Sequence, residues 1–173
     1  SPVSGYIPLE FYLFPAHTAS ARPQLETEVP RIIEAFESRF GPFPFASEKF
    51  GVCELSMSGF GMEHQTLLTM HYNFFFDIEL PHEGAHEWFG NMIAIEDWGH
   101  IWLSESFATY AQALFREYWE GPSGYQQEIA AHMAGSANGI IYVTEPWDPQ
   151  NIIPLSLVYR KGSAVLHMLR FVM

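Results

Sequence analysis

The sequence is poor in cysteine, in basic residues and in long apolar runs. Its 173 residues contain a single cysteine, Cys53, which excludes a disulfide framework and a cysteine-based metal site. We expect Cys53 to be a buried small hydrophobe. Lysine and arginine total only 8 against 20 aspartates and glutamates, and the formal charge of −12 makes nucleic acid an unfavourable partner. No run reaches the roughly 18 apolar residues of a membrane span, so none is predicted.

Apolar and aromatic residues are abundant instead. They make up 48% and 16% of the chain, against 16% charged residues, which excludes a disordered chain and predicts a globular core. The acidity fits either a solvated surface or a field that attracts cations such as metal ions and amines. The chain has no initiator Met and stops in an apolar stretch at 166–173, so we expect residues 1–173 to be one module cut from a longer polypeptide. Its compartment is not predicted, because cytoplasmic and exported locations both fit.

Periodicity predicts strands early in the chain and helices after them. Pro30 should begin or kink the first helix rather than lie inside it. The sequence predicts an α+β fold, in which a small β-containing N-terminal lobe precedes a mainly helical lobe. The predicted elements are a helix over 24–40, a strand over 50–57, a turn at 58–61, a short strand over 66–70, helices over 78–92, 104–119, 123–135 and 158–172, and irregular chain over 138–156.

Residues 82–86 read HEGAH and carry the strongest chemical signal. On a helix, positions i and i+4 lie on one face about 6 Å apart, so His82 and His86 can bind one cation. Glu83 lies at the edge of that face, where it can act as a general base rather than a ligand. The alternative is two histidines on a solvated helix. Pro81 has no amide hydrogen, which predicts that the helix begins two or three residues before it.

A catalytic zinc ion needs a third protein ligand. Glu105 follows His86 after 18 intervening residues and stands in the first turn of the next predicted helix, with Ser104 as its expected cap. An adjacent helix can thereby present a carboxylate to the same ion. The alternative is an ordinary first-turn glutamate favoured by the helix dipole.

This pattern resembles that of a known family. HExxH followed after 18 residues by Glu is the ligand spacing of the gluzincin metallopeptidases, and the flanking segments resemble the aminopeptidase N family. Two further motifs occur in that family's order, one similar to Gly-x-Met-Glu-Asn and one similar to Tyr-x-Lys-Gly. The segments that carry the resemblance are HEWFGN at 86–91, WLSESFA at 102–108, GMEHQ at 61–65 and YRKG at 159–162.

The resemblance implies a thermolysin-like zinc peptidase domain with one zinc ion per chain, held by His82, His86 and Glu105. Glu83 is then the general base. The expected activity is hydrolysis of the first peptide bond of peptides that have a free N-terminus, with flanking domains of the parent chain as further partners.

Four more residues receive roles from the resemblance. Glu63 would bind the substrate's α-amino group, and Gly61 and Met62 would lie on a strand that pairs with the substrate main chain. Tyr159 would donate its hydroxyl to the oxyanion of the transition state. Taken alone, Glu63 is better interpreted as a turn residue and Tyr159 as a half-buried core aromatic.

The chain departs from the family pattern at four positions. Phe60 replaces the first motif glycine and His64 replaces its asparagine, so the substrate pocket is open to a different shape and the preferred first residue is not predicted. Before the third ligand, many members carry Trp-Asn-Asp, whereas this chain has Trp98, Gly99 and His100. We interpret His100 as a structural or surface residue. Asp97, Glu96 or Glu87 is a candidate substitute for the missing carboxylate, and the sequence does not choose between them.

Two alternatives to the aminopeptidase remain open. One is a non-catalytic scaffold derived from the same fold, and the other is the family's branch that opens a leukotriene epoxide. Scaffolds can lose ligands, whereas this chain retains both histidines, both key glutamates and the tyrosine.

Overall fold

A computed structural model describes residues 1, 3–59, 61–147 and 155–173. These residues form two compact units, Ser1–Met92 and Ile93–Met173. The first contains a small sheet and two α-helices, and the second is helical, so the predicted α+β class is confirmed. Among the described helices, none has the length and apolarity that crossing a bilayer demands.

The sheet of the first unit has four described strands in the order β1-β2-β4-β3. Strands β1, β2 and β4 are parallel, and β3 pairs antiparallel with β4 at one edge. The predicted strands over 50–57 and 66–70 are confirmed with shifted ends, whereas β1 and β3 were not predicted. Phe60 of the predicted turn lies outside the described residues. The strands are β1 (Leu9–Tyr12), β2 (Phe50–Leu55), β3 (Gly61–Met62) and β4 (Leu67–His71).

Helix α1 spans Thr18–Phe40 and contains both Pro23 and Pro30. The expectation that Pro30 would not lie inside the helix is wrong, because the helix begins twelve residues before it. An apolar stripe buries side chains on both sides of Pro30, and burial of that stripe outweighs the lost backbone hydrogen bonds. The buried stripe consists of Ala21, Leu25, Val29, Ile32, Ile33 and Phe36.

Helix α2 spans Glu79–Ala85, so its start two residues before Pro81 confirms the prediction. The predicted end at residue 92 is wrong. Beyond Ala85 the hydrogen bonds change register: the amide of Asn91 donates to the carbonyl of His86, five residues back. Gly90 then adopts a φ of +133°, which an α-helix does not allow. The seven-residue helix is therefore followed by an irregular turn.

The second unit contains α3 (Trp102–Glu120), α4 (Pro122–Ala134) and α5 (Gly162–Arg170). The helices predicted over 104–119 and 123–135 are confirmed within two residues. Ser104 is not a cap, because α3 already begins at Trp102 and Ile101 occupies the N-cap position. The helix predicted over 158–172 is divided into a π-helical segment, Leu155–Lys161, and α5.

Two smaller expectations are also resolved. The stretch predicted to be irregular has no regular helix or strand over 138–147, and its residues 148–154 lie outside the described part of the chain. The prediction is wrong at 155–156, which belong to the π-helical segment. The side chain of Cys53 is partly exposed, so the prediction of a buried hydrophobe is wrong. Cys53 follows the buried Val52 on β2, and alternation along the strand turns it to the opposite face.

Candidate metal centre and substrate site

Helix α2 brings the two histidines of the HEGAH segment together. Their Nε2 atoms lie 3.2 Å apart, and the ring planes are at 81° to each other. Two nitrogens bound tetrahedrally to one zinc ion at 2.0–2.1 Å would be separated by about 3.3 Å. The His82 and His86 donor atoms therefore fit one zinc ion. Both side chains are buried, which limits competition from solvent.

The irregular turn after α2 fixes the tautomer of His86. Its Nδ1 lies 2.9 Å from the carbonyl oxygen of Phe89. A carbonyl can only accept, so Nδ1 carries the proton and Nε2 presents its lone pair toward His82. This arrangement is typical of metal-binding histidines, whose second ring nitrogen is held by a hydrogen bond.

Two carboxylates lie beside this histidine. Ligand atoms of Glu63, Glu83 and His86 all lie within 4.8 Å of one another. Glu83 is buried and packs against the backbone of Gly61, where an added Cβ would lie 2.9 Å from the Glu83 carboxyl carbon. The structure thus places a general-base candidate and an amine-binding candidate side by side.

Gly61 and Met62 form strand β3, paired with Met70 and Thr69 of β4. Because β3 is the last strand in the sheet order, its outer hydrogen-bonding groups form an edge. Glu63 follows directly after this edge strand. The geometry therefore agrees with the placement that the resemblance implied for these residues.

A buried carboxylate, Glu87, ties the turn after α2 to the chain around Glu63. It is fully buried and accepts a hydrogen bond from the backbone amide of Thr66 at 2.8 Å. Burial raises the pKa of Glu87 to about 7, although hydrogen bonds from Thr66 and Asn91 oppose the rise. The side-chain amide of Asn91 donates to the carbonyl of Glu63 at 2.8 Å. The sequence named Glu87 only as a substitute carboxylate and did not indicate Asn91. The available signal was that these two polar residues stand four positions apart, directly after the His86 ligand candidate.

Glu105 and Tyr159 belong to the second unit. Glu105 is buried in the first turn of α3, and its carbonyl accepts a hydrogen bond from the Thr109 hydroxyl at 2.7 Å. Tyr159 lies half-buried in the π-helical segment, a type of distortion that is frequent at functional sites. It packs against an apolar cluster that includes Val158, whose carbonyl accepts from the Ser106 hydroxyl at 2.5 Å.

The departures from the family pattern have ordinary surroundings where they are described. His64 is exposed, and its Nδ1 lies 2.8 Å from the Thr69 hydroxyl. His100 is half-buried in a short 3-10 turn and packs edge-on against Tyr142. These contacts agree with the structural interpretation of His100.

Comparisons with known proteins agree with the geometry. Leucine aminopeptidase 2 of Eremothecium gossypii is 28% identical over 90% of this chain, and aminopeptidase N of Oryctolagus cuniculus is 35% identical over 52%. The chain covers 27% and 11% of those relatives, so it spans about a quarter of their length or less.

Solved structures show the same likeness. An M1 zinc metallopeptidase from Deinococcus radiodurans, solved as a mutant bound to a Tyr-Ser-Ala substrate, superposes with a TM-score of 0.73 at 30% identity, covering 84% of this chain and 32% of that one. Native yeast LTA4 hydrolase has a TM-score of 0.80 over 94% of this chain and 28% of that one, but its 18% identity shows the fold alone. The family described as the peptidase family M1 domain matches residues 25–173, and this chain belongs to that family.

Proposed function

We propose that this chain is the zinc-binding part of a metallo-aminopeptidase with a thermolysin-like fold. The observation that carries the proposal is the 3.2 Å separation of two buried imidazole nitrogens, one with its tautomer set by Phe89, beside the carboxylates of Glu63 and Glu83. When bound, zinc supplies Lewis-acid chemistry, acidifying a water molecule and polarising the scissile carbonyl group.

The ligand set of the proposal is His82, His86 and Glu105. The two histidines contribute Nε2 atoms that a single ion can bind. Glu105 is assigned from its spacing after His86 and its position in the first turn of α3, where it is buried. Two neutral imidazoles and one carboxylate form a set typical of catalytic zinc, which keeps one position open.

Glu83 moves the protons in the proposed reaction. Its carboxylate accepts a proton from the attacking water and then donates it to the leaving amine, so each proton has a defined origin and destination. Its contact with Gly61 holds the carboxylate beside the edge strand on which we place the substrate. Tyr159 donates its hydroxyl to the oxygen that gains charge in the transition state.

Glu63 restricts the activity to free N-termini. A carboxylate pairs strongly with an ammonium group, whereas an acylated terminus offers no charge and leaves the partly buried carboxylate unpaired. Strand β3 contributes main-chain groups that align the substrate as an added strand. The proposed substrate is therefore a peptide with a free amine, and the flanking parts of the parent chain would complete the cavity.

The test compares the rates at which the zinc-loaded protein hydrolyses leucine p-nitroanilide and its N-acetyl derivative. Hydrolysis of the free-amine substrate alone supports an aminopeptidase, with Glu83→Gln as the inactive control. Hydrolysis of both substrates at similar rates contradicts the amine-binding role of Glu63. If the parent chain with its flanking parts binds one zinc ion but cleaves neither substrate, the aminopeptidase proposal fails and the scaffold and epoxide-opening alternatives return.

A further inference from the structure

The loop between β3 and β4 carries Glu63 and is held by the turn that follows His86. Asn91 donates its side-chain amide to the carbonyl of Glu63 at 2.8 Å. The same amide nitrogen lies 3.4 Å from the Glu87 carboxylate. The residue that we assign to amine recognition is thus joined by one hydrogen bond to the irregular turn beside the metal centre.

The other end of the loop is held by Glu87. This side chain is fully buried, and its second oxygen accepts from the amide of Thr66 at 2.8 Å. Glu87 and Asn91 therefore contact the loop at two points three residues apart, Glu63 and Thr66. Removal of a buried acceptor would leave the Thr66 amide unpaired, so this contact is costly to break.

Thr66 has an unfavourable backbone conformation that these contacts maintain. Its φ is +60°, a region that β-branched residues rarely adopt. The carbonyl of Thr66 accepts from the amide of Gly51 at 2.9 Å, so the peptide groups on both sides of this residue are fixed. Strained residues persist where several surrounding contacts fix the same conformation, and they are common at binding sites.

We infer that Asn91 and Glu87 are positioning residues that hold the Glu63 carboxylate beside Glu83 and thereby set the affinity for the substrate's amino group. The inference rests on the proposed function, because it assigns Glu63 to that amine. Glu63 itself is half-buried at the end of a two-residue strand, which provides few backbone bonds of its own. Misplacement of a binding group by about 1 Å is enough to weaken recognition strongly.

The test compares Asn91→Ala with Gln65→Ala in the zinc-loaded protein. Gln65 is an exposed residue of the same loop, so its variant controls for general loop disturbance. Asn91→Ala should raise KM for leucine p-nitroanilide about tenfold with little change in kcat. The reason is that it weakens the contact between the Glu63 carboxylate and the substrate's amino group, which is already made in the bound ground state. Hydrogen exchange of residues 61–71 should quicken in the same variant and stay unchanged in Gln65→Ala. Asn91→Asp, which keeps the shape but removes the amide donor, should act in the same direction.

A Glu63→Ala reference separates this inference from the proposed function. If Glu63→Ala raises KM and Asn91→Ala changes neither KM nor exchange, the positioning role is overturned while the amine-binding role stands. If Glu63→Ala leaves the preference for the free amine intact, the amine-binding role itself fails. When both roles hold, Asn91→Ala should add little in the Glu63→Ala background.

Discussion

The Nε2 atoms of His82 and His86 lie 3.2 Å apart because a spacing of four residues places both rings on one face of α2 and its C-cap. The helix ends at Ala85, so His86 stands where the chain leaves regular geometry and where the Phe89 carbonyl can reach back to its Nδ1. A continuous helix would direct that carbonyl along its axis instead. The early end of α2 is therefore part of the candidate metal centre, because it orients one of the two imidazoles.

Zinc content is the first prediction. The native chain should retain about one zinc ion after dialysis, and His86→Ala should lose it, because a single imidazole cannot replace a chelating pair. His64→Ala is the matched control, since His64 is exposed and bonded to Thr69. Elemental analysis of folded protein measures the ratio. Equal zinc in the His86→Ala variant and the native chain would contradict the site.

Glu83→Gln should leave zinc bound and lower kcat by at least about a hundredfold, because the amide keeps the shape but cannot accept a proton. Glutamine has nearly the size and shape of Glu83 and keeps the packing against Gly61, so the variant should fold. The measurement combines steady-state hydrolysis of leucine p-nitroanilide with elemental analysis. A variant that turns over at near-native rate would assign the base to another residue.

The sequence predicts well those features of the structure that depend on residues close together in the chain. The helical spacing of His82 and His86 and the first-turn position of Pro81 depend only on neighbouring residues, and both were predicted correctly. Strand β1 pairs with β2 across some 40 residues, and no local signal indicates that pairing. The turn after Ala85 likewise depends on contacts of Glu87 and Asn91 with a loop more than 20 residues earlier.

Gly84 is predicted to be required for the packing of α2 on α1. An added Cβ would lie 2.9 Å from Cγ2 of Ile32 and 3.5 Å from the ring of Phe50. Gly84→Ala should therefore lower the free energy of unfolding by about 1–3 kcal/mol, as is usual when a packed core receives an extra methyl group. Urea unfolding measures the loss. Ile32→Ala removes the clashing Cγ2 methyl, so the double variant Gly84→Ala with Ile32→Ala should lose less stability than the sum of the two single variants. Additive losses would mean that the clash lies elsewhere.

Tyr159→Phe should lower kcat about a hundredfold or more with a smaller effect on KM, because the hydroxyl acts only when charge develops on the carbonyl oxygen. The side chain packs against an apolar cluster, and phenylalanine keeps that contact, so the variant should still fold. Tyr142→Phe is the matched control in the same unit, on a partly exposed ring. The Tyr142→Phe control should retain full kcat, and if Tyr159→Phe does so as well, Tyr159 does not stabilise the oxyanion.

A partly buried carboxylate in the second unit, Glu128, predicts how stability depends on pH. The Glu128 carboxylate oxygens lie 3.2 Å from His132 Nε2 and 3.1 Å from Arg116 Nη1. The hydrogen bond from His132, and after it that from Arg116, holds the pKa of Glu128 below its ordinary value. Because the folded pKa is depressed, this stabilisation is present above the unfolded value of about 4.3 and is lost as the pH falls through the folded pKa. Glu128→Gln should lower the unfolding free energy at neutral pH by about 1–2 kcal/mol.

The difference between Glu128→Gln and the native chain should shrink as the pH falls below about 4, because protonation neutralises the native carboxylate as well. Glu120→Gln is the matched control: Glu120 also bonds to Arg116, but its side chain is 48% exposed. Solvent screens such a pair, so this variant should lose less than about 0.5 kcal/mol. Urea unfolding of all three proteins across this pH range measures both effects, and a Glu128→Gln deficit that persists unchanged in acid would show that it arises from packing rather than charge.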